Sequence, residues 1–320
     1  MSTAFNKLPI FIFFLLPVAC GQVLEPGSEA HIRQVISAVD HHRIVVADNH
    51  PEDWLTSGRN YSEDRYSELD QITKSNINEL GLAWSINLGV YSGLKSTPIV
   101  SDGIMFMSGP WSKVYAIDVR KGEIIWIYDP EVPREYGIKV CCDVVHRGVS
   151  MYEGMIYVGT LDGRLVAIEA ATGKLVWETL TVDQNKPYSI TGGTRVFDGK
   201  VLIGNSGGDY GVRGYVTAYD AFSGEQIWRF YTVPGNPAHG FESEAMEEAA
   251  STWTGEWWTM GGGGAVLDAI VYDPELKLVY IGTGNGSTWN GDVRSPGEGD
   301  KLYLSSIVAV HLESGEIEWY

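Results

Sequence analysis

The stretch Ala116-Ile-Asp-Val-Arg-Lys-Gly-Glu-Ile-Ile-Trp126 returns three more times along the chain, in copies that end at Trp177, Trp228 and Trp319. In all four copies Ala, Gly and Trp stand at the same offsets, which chance does not produce. The tryptophans are separated by 51, 51 and 91 residues, so the last interval carries about 40 additional residues. The chain is therefore built from repeats of one structural unit, with an insertion before the last copy.

Each repeat contains four short apolar segments separated by residues that favour tight turns. In the first repeat these segments lie at 98–100, 104–107, 114–117 and 124–127. Asp102-Gly103 and Lys121-Gly122 are turn signals between them. A four-stranded unit that recurs about every 50 residues is typical of a propeller blade. We therefore predict an all-β fold, a β-propeller of four-stranded blades in which each Trp covers the neighbouring blade, with four to five blades present.

Composition agrees with this fold and excludes two classes of partner. The 320 residues include 38 glycines and 13 prolines, which suits many short strands joined by turns. The formal net charge is −18 and no cluster of Lys or Arg occurs. We therefore expect neither nucleic acid nor an anionic membrane surface as a partner.

The N-terminus reads as a targeting segment. Lys7 is followed by the apolar run 8–18, which is too short to span a bilayer but suits a signal peptide. Ala19-Cys20-Gly21 resembles a lipoprotein cleavage site, and ordinary cleavage near Ala19 is the alternative. We predict a signal peptide at 1–22, an N-terminal extension at 23–52 and a periplasmic protein. Contact with a membrane is expected only if Cys20 is lipidated.

Two cysteines remain after this segment, and they are adjacent. An even number of cysteines in an exported chain suggests a disulfide between Cys141 and Cys142. Such a bridge would close a small, strained ring and remove almost no loop entropy, so it would shape a site rather than stabilise the fold. Two free thiols in a loop are the alternative.

The segments between the repeats resemble those of PQQ-dependent (quinoprotein) alcohol dehydrogenases in order and spacing. The resemblance rests on the segments 53–61, 80–84, 141–148, 188–192, 204–214, 282–287 and 299–306. It runs from about residue 50 to residue 320 and corresponds to the N-terminal half of that family. The resemblance implies that residues 53–320 are part of an eight-bladed propeller that carries pyrroloquinoline quinone (PQQ) and Ca²⁺. It also implies oxidation of alcohols to aldehydes, with electrons passed to a cytochrome c.

The same resemblance assigns roles to individual residues. It implies that a Cys141–Cys142 disulfide and Arg147, Thr191, Ser206, Gly207 and Gly208 contact the cofactor, that Asp209 and Asn285 bind the metal, and that Asp300 is the general base. These residue types suit those roles, because a hard cation prefers carboxylate and amide oxygens and a carboxylate can accept the proton of an alcohol. Leu302 stands where lanthanide-using relatives place a second aspartate, which favours Ca²⁺.

Several positions depart from the family pattern. Lys95 replaces a glutamate that contacts the cofactor, Asp209 is shorter than the usual glutamate, and Leu267 replaces the tryptophan that stacks on the cofactor. A leucine there loses aromatic stacking worth about 0.5–1.5 kcal/mol. His146 stands where an asparagine is common. These changes imply weakened or altered cofactor binding.

A second function class explains some of these observations. A non-catalytic propeller lipoprotein that acts as a protein-binding scaffold would account for the cleavage site and the altered pocket, but it has no need of adjacent cysteines or of Asp300. No Cys-x-x-Cys-His occurs, so we expect no covalent haem in this chain.

Overall fold

The computed structural model describes residues 24–141 and 143–320, which form four antiparallel sheets of four strands each. The first contains β1 (Ile99–Ser101), β2 (Ile104–Ser108), β3 (Val114–Asp118) and β4 (Glu123–Tyr128). The second contains β5 (Ser150–Tyr152), β6 (Met155–Gly159), β7 (Arg164–Glu169) and β8 (Leu175–Leu180). The third contains β9 (Arg195–Phe197), β10 (Lys200–Gly204), β11 (Tyr215–Asp220) and β12 (Gln226–Tyr231). The fourth contains β13 (Ile270–Asp273), β14 (Leu278–Gly282), β15 (Ile307–His311) and β16 (Ile317–Trp319). The predicted propeller of four-stranded blades is confirmed.

The third strand of each blade lies at the centre of the core, and the fourth lies at its edge. Every residue of β3 is buried, whereas β8 alternates between exposed and half-buried positions. In all four blades the pairing of these two strands shifts register directly after the repeated alanine, at Ala116, Ala167, Ala218 and Ala309. The repeat therefore encodes a β-bulge at the same place in each blade.

The repeated tryptophans join each blade to the next. The indole Nε1 of Trp126 donates to the Ala170 carbonyl at 3.0 Å, and that of Trp177 donates to the Ala221 carbonyl at 3.1 Å. Trp228 donates in the same way to the Leu312 carbonyl at 2.8 Å. The prediction that each Trp covers its neighbour is thus confirmed for these three residues.

Two tryptophans behave differently from the sequence prediction. Trp84 makes the same contact with the first blade, donating to the Val119 carbonyl at 2.8 Å. Its role was not visible in the repeat because the Ala and Gly at the repeat offsets are missing before it. Trp319 stacks on Tyr280 of its own blade, with ring centroids 5.7 Å apart, and is 47% exposed.

The repeated glycine is required by these tryptophans. Gly122, Gly173, Gly224 and Gly315 have φ between 67° and 73°, a left-handed conformation that favours glycine. A Cβ atom at any of the four would lie 2.5–2.7 Å from a ring atom of the tryptophan of the preceding blade. Both the turn and the indole contact therefore exclude a side chain at this position.

We expect Gly224→Ala to lower the free energy of unfolding by about 3 kcal/mol. The left-handed backbone and the overlap with Trp177 both contribute to the loss. Gly199→Ala is the matched control, because Gly199 has φ +75° but nothing within 4 Å of an added Cβ. It should cost only the backbone part, about 1–2 kcal/mol. Urea unfolding measures both values, and equal losses would show that the indole does not restrict this turn.

The N-terminal extension forms two helices, which the all-β prediction did not anticipate. Helix α1 (Glu29–Ser37) begins at the Ser28 cap and buries Ile32 and Ile36 in the main core. Helix α2 (His41–Val45) begins at the Asp40 cap. The Glu153 and Gly154 amides, in the turn between β5 and β6, donate to the carbonyls of Val39 and Ile36. The helices therefore pack on the ends of the blades opposite the loops described below.

Two further helices, α3 (Glu244–Ala250) and α4 (Gly291–Arg294), lie in the long segments that precede β13 and β15. Within the described part of the chain, no helix has the length and apolar character needed to cross a membrane. The predicted signal peptide, with Cys20, lies outside the described residues.

Candidate active site

Loops from three successive blades form one cleft with a cavity volume of about 180 Å³, which we call the central cleft. Eight of its lining residues are predicted site residues: Cys141, Arg147, Thr191, Ser206, Gly207, Gly208, Asp209 and Asn285. Leu267, Ala265 and Gly284 complete the lining. These residues come from segments that lie far apart in sequence, so the propeller brings the predicted site together.

Cys141 is exposed and lines the central cleft. Cys142 lies outside the described residues, so the predicted disulfide between them stays a prediction.

A hydrogen-bonded wall carries the positive charge of the cleft. The Nη1 atom of Arg147 donates to Thr191 Oγ1 at 2.8 Å and to the Thr191 carbonyl at 3.1 Å. Thr191 Oγ1 is in turn 2.8 Å from Ser206 Oγ. Arg147 is anchored by neutral groups, and within residues 24–141 and 143–320 no carboxylate forms a salt bridge with it. Its charge therefore faces the cleft uncompensated, which suits an anionic ligand.

Glycines next to Thr191 and Ser206 allow backbone segments of the cleft to lie close together. Gly207 has φ +94°. A Cβ atom added at Gly208 would lie 3.3 Å from the Cβ atom of Ala265, which is a tight contact. An added Cβ on Gly192 would overlap the Leu267 carbonyl oxygen, so the two backbones that carry Thr191 and Leu267 touch directly. A flat ligand can approach the backbone closely along such a surface.

The glycine run Gly261–Gly264 fixes the loop that carries Asn285. All four glycines have positive φ, between 72° and 89°. The run lies between two loops, because the Gly214 amide donates to the Gly263 carbonyl and the Gly264 amide donates to the Asn285 carbonyl. The backbone of Asn285 is therefore held against the neighbouring blade.

Asp209 and Asn285 supply oxygen atoms at one end of the cleft. Asp209 Oδ1 accepts a hydrogen bond of 2.8 Å from the indole of Trp289, and Asn285 Nδ2 donates to the Gly286 carbonyl at 3.2 Å. Asp209 Oδ2 and the Asn285 amide oxygen keep lone pairs for a hard cation. The described residues contain no group of three or more His, Cys, Asp or Glu side chains suited to a metal.

Asp300 lies beside the central cleft rather than in it. It lines an adjoining cleft with a cavity volume of about 560 Å³ together with Trp289, Arg294 and Leu304, and Asn285 lines both clefts. Asp300 is exposed, and the neighbouring Lys301 ammonium donates to the carbonyls of Gly297 and Gly299. The structure therefore places Asp300, the predicted general base, in the same cleft as Asn285, a predicted metal ligand.

Leu267, Asp209 and Lys95, three of the positions that depart from the family pattern, lie at different places relative to the cleft. Leu267 lines the central cleft and is 42% exposed, so it is placed to cover a ligand. Asp209 also lines the cleft. Lys95 is exposed and is not among the lining residues, so its charge reversal falls outside the central cleft.

His146 is buried directly before Arg147. Its Nδ1 lies 2.9 Å from Ser108 Oγ and accepts from the Gly148 amide at 3.4 Å. Burial lowers the pKa of His146 to about 4, because the charged imidazolium loses its hydration.

We expect His146→Asn to reduce the decrease in the free energy of unfolding that occurs between pH 7 and pH 5. The folded pKa of about 4 lies below the unfolded value of 6.5, so the unfolded chain binds more protons between these limits. The free energy of unfolding of the unsubstituted protein should therefore fall as the pH drops, by about 2 kcal/mol from pH 7 to pH 5 through this group. Urea unfolding across this range measures the difference. Parallel pH profiles for the two proteins would contradict the prediction.

Sequence reasoning missed two residues at the mouth of the site. Trp289 bridges the two clefts through its bond to Asp209, and Arg294 contacts the loop that carries Trp289. Neither belongs to the repeat, and no local pattern signals a contact between residues 80 positions apart.

Residues 54–320 match the family described as PQQ, glucose/ethanol/alcohol dehydrogenase, β-propeller domain. The chain belongs to the PQQ-dependent alcohol dehydrogenase family. Among its PQQ-family relatives, the quinohemoprotein alcohol dehydrogenase ADH IIB of Pseudomonas putida is 52% identical over 285 residues, covering 89% of this chain and 41% of the relative. The 1-butanol dehydrogenase (cytochrome c) of Thauera butanivorans is 48% identical, covering 84% of this chain and 39% of the relative.

The fold agrees with that of a solved PQQ-family member. The crystal structure of quinohemoprotein alcohol dehydrogenase from Comamonas testosteroni superposes with a TM-score of 0.89 at 52% identity, covering 91% of this chain and 44% of that chain. The chain thus spans less than half the length of these relatives. The predicted resemblance to the N-terminal part of the PQQ family is confirmed, and it favours the dehydrogenase interpretation over a scaffold.

The central cleft fits the PQQ of the family. PQQ is a flat quinone with three carboxylates, and the cleft offers an uncompensated guanidinium, two hydroxyl groups and a glycine-lined wall. The donor set at its other end consists of a carboxylate and an amide oxygen, which suits Ca²⁺ if the cofactor supplies further oxygens.

Proposed function

We propose that this protein is a periplasmic quinoprotein dehydrogenase that oxidises alcohols to aldehydes with PQQ and Ca²⁺ and passes the electrons to a cytochrome c. The observation that carries the proposal is the convergence of eight predicted site residues on the central cleft. The names of the relatives support the reaction, since they include quinohemoprotein alcohol dehydrogenases and a 1-butanol dehydrogenase (cytochrome c). The signal-like segment 1–22 supports the periplasm.

The polar wall would hold the cofactor. Arg147 would pair with an anionic oxygen, while Thr191 and Ser206 donate hydroxyl hydrogen bonds. Gly207 and Gly208 would bring the backbone against the carboxylates. Leu267 would cover one face of the ring system, and a Cys141–Cys142 disulfide would cover the other.

Asp209 and Asn285 would hold Ca²⁺ at the edge of the cleft. When bound, PQQ with Ca²⁺ supplies a polarised quinone that accepts a hydride. The chain's own contribution is to fix the two oxygen ligands and to exclude water on the side of the glycine run.

Asp300 would act as the general base. Its exposed carboxylate would accept the hydroxyl proton of the alcohol as the hydride leaves the adjacent carbon, which balances the two-electron oxidation. The alcohol would lie in the adjoining cleft, where Trp289 and Leu304 offer apolar surface. Asn285 connects this cleft to the central cleft.

A binding experiment tests the proposal. PQQ is titrated into the purified protein with Ca²⁺ or with a chelator, and the cofactor absorbance is followed together with alcohol-dependent reduction of a dye. We expect saturable binding that requires Ca²⁺, because a cation held by Asp209 and Asn285 would attract the anionic cofactor that the same cleft binds. Absence of saturable binding in both conditions would contradict the proposed function.

A further inference from the structure

Arg294, the last residue of helix α4, folds back onto the loop that precedes the helix. Its Nη1 atom donates to the Thr288 carbonyl and makes a longer contact, 3.5 Å, with the Trp289 carbonyl. The guanidinium lies flat against Gly286, since an added Cβ on that glycine would overlap the guanidinium carbon. Its Nε atom is buried there and has no hydrogen-bond partner among residues 24–141 and 143–320. The Arg294 side chain thus contacts three of the four residues of the loop 286–289, namely Gly286, Thr288 and Trp289.

The loop that Arg294 contacts is connected to both residues of the proposed metal site. Asn285 directly precedes Gly286, and the indole of Trp289 donates to Asp209 Oδ1 at 2.8 Å. Trp289 is 78% exposed, so packing alone does not fix its ring. Its backbone must be held for the indole to orient the Asp209 carboxylate.

We propose that Arg294 is a positioning residue that keeps Asn285 and Asp209 converging on one cation. The inference rests on the proposed function for the identity of that cation, Ca²⁺. Arg294 acts on Asn285 through the peptide at Gly286 and on Asp209 through Trp289. Groups that orient metal ligands in this way affect metal affinity about 10–100-fold when they are removed.

The positive charge of Arg294 disfavours a cation at the proposed metal site. The presence of arginine here is explained if its side chain positions the loop. A cation in the adjoining cleft repels Ca²⁺ at Asn285, and no salt bridge with a described carboxylate compensates it. The planar, multi-donor guanidinium explains why arginine stands here. Its planar face can stack on a peptide while its edge donates to carbonyls, whereas the lysine ammonium has no planar face to stack.

Two substitutions separate positioning from charge. Arg294→Met removes the charge and the tether, whereas Lys301→Met removes a charge from the same cleft without touching the loop, because Lys301 bonds to Gly297 and Gly299. We expect Arg294→Met to raise the half-saturating Ca²⁺ concentration, measured in the presence of excess PQQ, about 10–100-fold. Lys301→Met should leave this concentration unchanged or lower it. Equal or tighter Ca²⁺ binding by Arg294→Met would overturn the proposal.

A second measurement needs neither Ca²⁺ nor PQQ. Hydrogen exchange of the peptides that cover residues 285–290 should speed up in Arg294→Met and stay unchanged in Lys301→Met, because Arg294 bonds to this loop and Lys301 does not. Unchanged exchange in Arg294→Met would overturn the proposal. Absence of Ca²⁺ binding by the unsubstituted protein would instead contradict the proposed function, while the exchange data still decide whether Arg294 fixes the loop.

The route through Trp289 is tested by a double-mutant cycle. Trp289→Phe removes the hydrogen bond to Asp209, so it should weaken Ca²⁺ binding by itself. Arg294→Met should then have a smaller effect in the Trp289→Phe background than in the unsubstituted protein. Strictly additive effects would show that Arg294 does not act through Trp289.

Discussion

The Gly192→Ala variant is expected to lose its PQQ site, with a fall in PQQ affinity of at least about 100-fold and a loss of at least about 3 kcal/mol in the free energy of unfolding. An added Cβ at this position would overlap the carbonyl oxygen of Leu267. The obstructing atom belongs to the backbone, so no rotation of a side chain relieves the overlap. The segments that carry Thr191 and Leu267 must separate, and both line the central cleft.

The adjacent glycine provides the control for this prediction. A Cβ on Gly193 would meet the Arg195 Nη1 atom at 3.1 Å and the Asp268 Oδ1 atom at 3.5 Å, both at the ends of side chains. Gly193→Ala should therefore keep PQQ affinity within about threefold, since small shifts of flexible groups relieve the contact. Calorimetry of PQQ binding and urea unfolding measure both variants. Similar behaviour of the two variants would show that the contact between Gly192 and Leu267 does not shape the cleft.

The Asp300→Asn variant is expected to lower kcat about 10²–10⁴-fold while PQQ and Ca²⁺ remain bound. An amide keeps the size of the side chain but cannot accept the hydroxyl proton of the alcohol. Cofactor affinity should stay the same because Asp300 lines the adjoining cleft and not the central one. Steady-state dye reduction and PQQ titration measure the two effects separately.

Asp292→Asn removes a negative charge from helix α4, whose last residue Arg294 lines the adjoining cleft, and it leaves the proposed base in place. Asp292 lies in helix α4, and its amide bonds to the Asn290 side chain. This variant should retain turnover, which separates loss of the base from a general change of charge. Normal turnover in Asp300→Asn would assign the base to another carboxylate and restrict Asp300 to a structural role.

The parts of the molecule that could be predicted from the sequence are those encoded locally. The alternation of apolar segments and turns predicts the strands of each blade, and the recurring Ala, Gly and Trp predict the blade contacts of Trp126, Trp177 and Trp228. The residues of the central cleft were predicted from family motifs. Their convergence follows because each motif lies in a loop at the same end of its blade.

The parts that could not be predicted depend on contacts between distant segments. Helices α1 and α2 are short, and they are stable because Ile32, Ile36 and Ile44 enter a core made by other strands. The bond between Trp289 and Asp209 joins two loops that share no repeat position.

The tryptophan contacts between blades also impose an order on folding. Trp126 and Trp177 each bond to a carbonyl 44 residues further along the chain, whereas the partner of Trp228 lies 84 residues away, beyond the insertion. Each doubling of such a loop adds about 0.6 kcal/mol of closure entropy, and more distant contacts form more slowly. As the chain leaves the ribosome, the first three blades can therefore assemble one after another. The fourth can join only after the insertion has been synthesised, so its docking on the third blade is the late step.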